Sequence, residues 1–269
     1  MGLRKTHMVD FSMSSWLTTS LLVVLLVLVG YIARTVRNIG RKLNVTKKEL
    51  SQFKKDSQQA FKSSAALQSD IYRQTESYAQ LVSLLKFSEP IPLTRSWAAS
   101  PDILLTLVES IRIHKPKLIV ELGSGLSTLV MAKTLPRGSR IISFDHSVEF
   151  AQQTRELLKR HSIRGVEIRV APIEDYNSEM SWYSKKSFSD LKKIDMLLID
   201  GPPGSKDPQA RAAARIELLS KLSPHAVVII DDANRDGERA LAEAFAQDLP
   251  GHTLRFLRHE KGAAIISPA

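Results

Sequence analysis

The 269-residue chain contains no cysteine, so neither a disulfide framework nor a thiolate-held metal is open to it. That agrees with a reducing compartment such as the cytoplasm. Charge is missing from residues 16–33, proline is missing from residues 34–89, and acids are scarce in residues 34–62. The last stretch carries nine Lys or Arg against two acids, so +7 of the total +10 sits there, with +1 before it and +2 after it. The high isoelectric point therefore belongs to one segment. That segment has little aromatic interleaving, which argues against nucleic acid as its partner. No internal repeat is evident beyond a heptad pattern described below.

What is present divides at about residue 89. Residues 16–33 are dominated by Leu and Val, and 18 residues at about 1.5 Å each just span a hydrocarbon core. A cleaved signal peptide is the competing reading. The run is long for a signal core, no small-x-small cleavage site follows it, and positive charge is heavier after it than before it. Arg34, Arg37, Arg41, Lys42, Lys47 and Lys48 follow, against Arg4 and Lys5 before. The positive-inside tendency then predicts a single-pass anchor in the cell membrane with everything after it cytoplasmic. The basic stretch predicts attraction to anionic headgroups, so residues 16–62 are assigned to membrane lipid.

Apolar residues next recur in heptads. One row is Val36, Leu43, Leu50, Ser57, Ser64, Ile71, Tyr78 and Leu85; the other is Ile39, Thr46, Phe53, Ala60, Leu67, Gln74 and Leu81. The pattern predicts a long helix that pairs with a second copy through residues 34–86, weak in its middle where Ser57, Ser64 and Gln74 bury little. A single amphipathic helix lying on the membrane or folding back is the alternative. Glu89-Pro90-Ile91-Pro92 ends the helix. The expected organisation is a tail at 1–15, an anchor at 16–33, a basic stalk at 34–88 and a globular domain at 89–269, long enough to bury one good core.

The most informative stretch of that domain is residues 118–128, where an apolar run reaches Glu121 and breaks into Gly123, Ser124 and Gly125. This predicts a buried strand turning sharply into a helix, with backbone free to approach a ligand. A dinucleotide fingerprint needs a third glycine, and Thr128 stands there instead. A carboxylate at Glu121 would repel a pyrophosphate and suits a ligand carrying positive charge, for which S-adenosylmethionine qualifies. Asp145, 20 residues after Gly125, ends a second apolar run and is placed to take both ribose hydroxyls. His146 beside it is a candidate adenine contact. Residues 166–170 read as a third strand, followed by Glu174 and Asp175, whose acids are placed to face adenine.

Two further continuous apolar runs, 194–199 and 226–230, end in Asp200 and in Asp231-Asp232. Continuous rather than alternating hydrophobicity predicts a parallel sheet covered on both faces. Helical patterns at 127–135, 148–161, 209–222 and 238–246 alternate with these strands, predicting a doubly wound α/β domain whose ligand lies beyond the carboxyl ends of the strands. Residues 253–257 and 263–267 flank Gly262 as a closing hairpin. The histidines give little; His225 precedes a strand, while His114, His161 and His252 fall near turns.

Glu-Leu-Gly-Ser-Gly at 121–125, Asp145, Ile-Asp-Gly-Pro-Pro-Gly at 199–204, Ile-Ile-Asp-Asp at 229–232 and the terminal hairpin together resemble class I S-adenosylmethionine-dependent methyltransferases over roughly residues 95–269. The resemblance implies a Rossmann-like seven-stranded sheet with an antiparallel last strand. It also implies cofactor contacts at Glu121, Gly123, Ser124, Gly125, Asp145, His146, Glu174 and Asp175. A finer resemblance to catechol-type and macrocin-type O-methyltransferases implies a divalent cation, such as Mg²⁺, held by Asp200, Asp231 and Asp232. Asp200 would be catalytic, and the cation would lower the pKa of a bound hydroxyl. Lys206 and Arg235 lie near the same edge as solvated charges. The acceptor would be a small molecule, glycan or lipid-linked oxygen compound. An inactive membrane-tethered scaffold and another reaction on the same fold are the alternatives.

Overall fold

The computed structural model describes residues 9–94, 96–177, 180–204 and 209–269, with side chains from residue 15 onward. Arg4, Lys5 and Lys206 lie outside the described residues. The chain forms two compact units, Met1–Gln68 and Ser69–Ala269.

The first unit is helical. Helix α1 (Val9–Leu85) begins in it, and Ser15–Leu85 is long and apolar enough to cross a membrane, with an 18-residue window at mean hydropathy 2.3 that is not buried. The heptad residues of this unit, Val36, Ile39, Leu43, Leu50, Phe53 and Leu67, are all exposed.

The second unit begins within α1. The ends of the two heptad rows, Leu81 and Leu85, are buried in the domain's own hydrophobic cluster with Leu104, Leu107 and Ile111. Gln74 donates from Nε2 to Asp102 Oδ2 at 2.5 Å. The last turns of the helix therefore spend their apolar face inside the domain, and only the residues before them retain an unpartnered one.

A seven-stranded sheet fills the domain. Strands β1 (Leu118–Leu122), β2 (Arg140–Asp145), β3 (Val166–Val170), β6 (Ile194–Ile199), β7 (Leu222–Asp231), β8 (His252–Leu257) and β9 (Ala263–Pro268) lie in the order β3-β2-β1-β6-β7-β9-β8. The first five in that order run parallel, while β9 pairs antiparallel with both β7 and β8. Strand order reverses between β1 and β6, which opens a crevice at their carboxyl ends where such sheets bind ligands. Alternate residues feed two cores. Ile119, Ile141, Met196, Leu198 and Ile229 join one with α2 (Pro101–His114), α3 (Leu126–Thr134) and α4 (Val148–Arg160). Leu118, Val120, Ile142, Leu197 and Ile230 join the other with α5 (Ala213–Leu218) and α6 (Asp236–Asp248). Burial on both faces is why these strands read as unbroken apolar runs.

The structure departs from the sequence reading in four places. Helix α2, with Pro101 in its first turn, was not anticipated. The helix expected over 209–222 contracts to α5 and a 3₁₀ turn at Leu219–Lys221. Strand β7 starts at Leu222, so His225 lies within it, exposed. Residues after β3 form a small hairpin of β4 (Ile173–Asp175) and β5 (Ser181–Tyr183), separate from the main sheet.

Candidate functional site

The ladders of β1, β2 and β6 continue into the loops at their carboxyl ends. Gly123 N–H donates to Phe144 O at 2.8 Å, and Asp200 N–H donates to Leu122 O at 2.9 Å. These bonds bring the glycine turn, Asp145 and Asp200 together around one cavity of about 750 Å³, a volume within the usual range for small-molecule sites. Its wall includes Gly123, Ser124, Gly125, Asp145, His146, Asp200, Gly201 and Tyr183, and its rim includes Pro92, Trp97 and Phe150. A second depression, of about 630 Å³ near Arg155, Lys159 and Arg164, holds none of the expected residues.

Each glycine of the turn has its own reason. Gly123 sits at φ +98°, and a Cβ there would lie 2.9 Å from Asp200 O. A left-handed backbone at a non-glycine costs roughly 1–3 kcal/mol before any clash. Gly123→Ala is therefore expected to lower the melting temperature and displace Asp200, whereas Gly125→Ala, its chain neighbours aside, meets no atom of the described residues within 4 Å. The second substitution leaves the fold intact and obstructs only a ligand, so thermal denaturation beside cofactor titration separates the two. That open space at Gly125 fits a bound group lying against the backbone.

Asp145 is buried and held from three directions. Ser124 donates to its Oδ2 from N at 3.1 Å and from Oγ at 2.7 Å, and Ser147 N–H donates to Oδ1 at 2.9 Å. Ser147 also caps α4, accepting from Phe150 N–H at 3.3 Å. His146, a third exposed, has Nδ1 3.5 Å from Asp145 Oδ1. Orientation of the carboxylate is thus fixed before any ligand arrives.

Glu121 lies elsewhere than expected. Strand periodicity puts it on the face of Ile119, under the start of α3, fully buried and outside the cavity wall. Ser127 Oγ donates to Oε1 and Thr128 Oγ1 to Oε2, each at 2.5 Å, and Gly125 N–H donates to Thr128 Oγ1 at 3.0 Å. The residue that stands where a dinucleotide site has its third glycine therefore ties the turn to Glu121. Burial, opposed by these hydroxyls, pushes the Glu121 pKa up from 4.5 to about 7. Between those values only the unfolded chain gives up the proton, so stability falls as pH rises through the window and the loss is complete above it. Glu121→Gln is expected to gain on the wild type by up to roughly 3 kcal/mol between about pH 4 and about pH 8. Denaturant titrations at both pH values check this.

Glu174 and Asp175 are exposed on β4, where pairing with Trp182 and Ser181 places them in the hairpin and outside the cavity wall. The hairpin contributes a residue with no sequence signal, Tyr183. Its side chain is 1% exposed, its Oη has no hydrogen-bond partner among the described residues, and it lines the cavity beside Gly201. Burial pushes this phenol far above its usual value, so the group is a neutral hydroxyl.

Asp231 and Asp232 gather near Asp200 but are buried behind the cavity wall around Arg211. Asp232 takes φ +61°, a left-handed turn that aspartate tolerates. Burial, reinforced by Asp232, pushes the Asp231 pKa up to about 6. Burial and the charge of Asp231 also raise Asp200, despite Arg211. Arg235 is half-exposed and paired with Asp232 at 3.0 Å and Glu238 at 3.4 Å, so it is not free in solvent. Among the described residues, no group of three or more His, Asp or Glu is arranged to hold a metal ion. Asp200 and Asp232 are instead paired with Arg211, at 3.3 Å and 2.9 Å, so the expected cation finds these two carboxylates already engaged.

This sheet order, with a glycine turn after the first strand and an acid closing the second, resembles the fold of class I methyltransferases. Residues 120–233 match a family described as a methyltransferase domain. The chain is 28% identical over 92 residues to catechol O-methyltransferase of Mus musculus, a match covering 34% of this chain. It spans only about a third of that enzyme's length, 33%. Among solved structures, the O-methyltransferase from Bacillus cereus in complex with SAH has a TM-score of 0.52 at 19% identity, covering 74% of this chain and 96% of that one. An SAH-bound methyltransferase from Podospora anserina has a TM-score of 0.50 at 16% identity, covering 73% and 87%. At these identities the structural likeness establishes the fold.

Proposed function

We propose that the protein is a membrane-anchored methyltransferase that uses S-adenosylmethionine to methylate an oxygen of a small-molecule, glycan or lipid-linked acceptor. The observation that carries this reading is the cavity in which Asp145, pre-oriented by Ser124 and Ser147, faces the glycine turn at the crevice of the sheet. When bound, S-adenosylmethionine supplies an electrophilic methyl group on a sulfonium.

The chain's residues divide the work. Asp145 takes the ribose hydroxyls, His146 flanks the adenine, and the Gly123–Gly125 backbone allows close approach. Asp200, on the cavity wall next to Gly201, faces the acceptor. The Asp200 carboxylate would accept the hydroxyl proton as the acceptor oxygen takes the methyl group that the sulfonium gives up. Trp97, 81% exposed at the rim with Phe150 and Pro92, supports an acceptor with an apolar body. Holding the two reactants in line contributes most of the rate.

The anchor reading rests on the span in residues 16–33 and the basic residues after it, which together favour a cytoplasmic domain at an anionic surface. Exposure of Val36, Leu43 and Leu50 supports pairing of two stalks. The test is to incubate the purified full chain and methyl-labelled S-adenosylmethionine with membranes from cells lacking the gene. Label is expected in an extractable acceptor, bound as an ether or ester, and none with Asp145→Ala protein. Label found in neither lipid nor soluble fractions would refute the activity.

A further inference from the structure

A side chain sits among the three acids to which the catechol-type resemblance assigns a divalent cation. Arg211 Nη2 donates to Asp232 Oδ2 at 2.9 Å, to Asp200 Oδ1 at 3.3 Å and to Asp200 O at 3.2 Å. Its Nη1 donates to Asp231 O at 3.0 Å, and its Nε to Pro202 O at 3.4 Å with Glu238 Oε1 3.6 Å away. The side chain is 6% exposed. Mg²⁺ requires near-octahedral oxygens at about 2.0–2.1 Å. A guanidinium bonded to two of the three acids and to the backbone of the third occupies that space, and its charge repels a second cation.

We propose that Arg211 is the permanent cation of this site, so that methyl transfer proceeds without a metal ion. The proposal rests on reading the cavity as a methyl-transfer site. Without a cation the acceptor is not chelated through two adjacent oxygens. It presents one oxygen to Asp200, whose carboxylate Arg211 holds in place, with the Tyr183 hydroxyl, unpartnered among the described residues, within the same wall to donate to a ligand. Acceptors with a single hydroxyl are then as suitable as vicinal diols. Asp200, Asp231, Asp232 and Glu238 are also kept together by the charge that organises them, since three buried acids and the partly buried Asp200 would otherwise repel one another.

Mn²⁺, followed by the loss of its free-ion paramagnetic resonance signal, is the probe for the full chain in detergent micelles. S-adenosylhomocysteine titrated into the same samples reports the cofactor site independently. Wild-type protein is expected to bind S-adenosylhomocysteine and no stoichiometric Mn²⁺ at millimolar concentration. Arg211→Met opens the carboxylates and is expected to gain Mn²⁺ affinity by roughly ten-fold or more. Arg211→Lys keeps the charge and is expected to bind none. One Mn²⁺ per wild-type chain, lost in Asp200→Asn, would overturn the proposal while leaving the cofactor reading intact. A folded Arg211→Met protein that still excludes Mn²⁺ would overturn it too. If Arg211→Met does not fold, the wild-type and Arg211→Lys titrations decide. Failure to bind S-adenosylhomocysteine would instead remove the methyl-transfer reading.

Discussion

Arg211→Ala is expected to destabilise the domain by about 3–5 kcal/mol, the cost of leaving buried charges without their partner. The Arg211 side chain is 6% exposed. Its contribution is a fork of donors reaching Asp200, Asp232, Asp231 O and Pro202 O, which joins the loop after β6 to the loop after β7. Removing it leaves Asp200, Asp231, Asp232 and Glu238, among the described residues, with the half-exposed Arg235 and the charge of Lys261. The penalty is pH-dependent. Asp200 and Asp231 already titrate above ordinary aspartates, and loss of the guanidinium raises them further. They are therefore protonated at low pH, where the variant recovers, and the deficit grows as pH rises. Denaturant unfolding of wild type and variant at about pH 5 and about pH 8 checks both the size and the slope. An equal deficit at the two pH values would mean that Arg211 acts through packing alone.

Asp145→Ala is expected to weaken S-adenosylmethionine or S-adenosylhomocysteine by at least about 100-fold. Two hydrogen bonds to a charged acceptor contribute roughly 1.5–3 kcal/mol each. The same carboxylate accepts from Ser124 N–H, Ser124 Oγ and Ser147 N–H. Its loss therefore also frees the glycine turn and the cap of α4. Asp145→Asn keeps one acceptor oxygen and is expected to fall between. Glu174→Ala, on the exposed β4, is expected to leave affinity unchanged, because its side chain does not reach the cavity wall.

Much of the scaffold was legible in the chain. Strands buried on both faces leave runs such as Leu118–Leu122 and Ile194–Ile199, and the acids that close them fall at one edge because parallel strands end together. The spacing of Asp145 from Gly125 was enough to bring it to the cavity beside Ser124. Glu121 could not, since period two sends it under α3 to meet Ser127 and Thr128, two hydroxyls whose purpose appears only when the helix is in place. Arg211 gave no signal as a lone basic residue in a helical pattern, and its role depends on loops that are distant in sequence. Tyr183 belongs to a three-residue strand, too short to announce itself by periodicity. The heptads of the stalk were visible, but not that Leu81 and Leu85 are consumed by the domain core. Local pattern carries burial and turn chemistry, whereas these residues take their meaning from partners far along the chain.

Calorimetric titration of S-adenosylhomocysteine into the purified full chain decides whether the cavity at Asp145 binds S-adenosylmethionine. One site per chain is predicted for the wild type, retained in Glu174→Ala and lost in Asp145→Ala. No heat of binding in the wild type, or an affinity unchanged by Asp145→Ala, would contradict it.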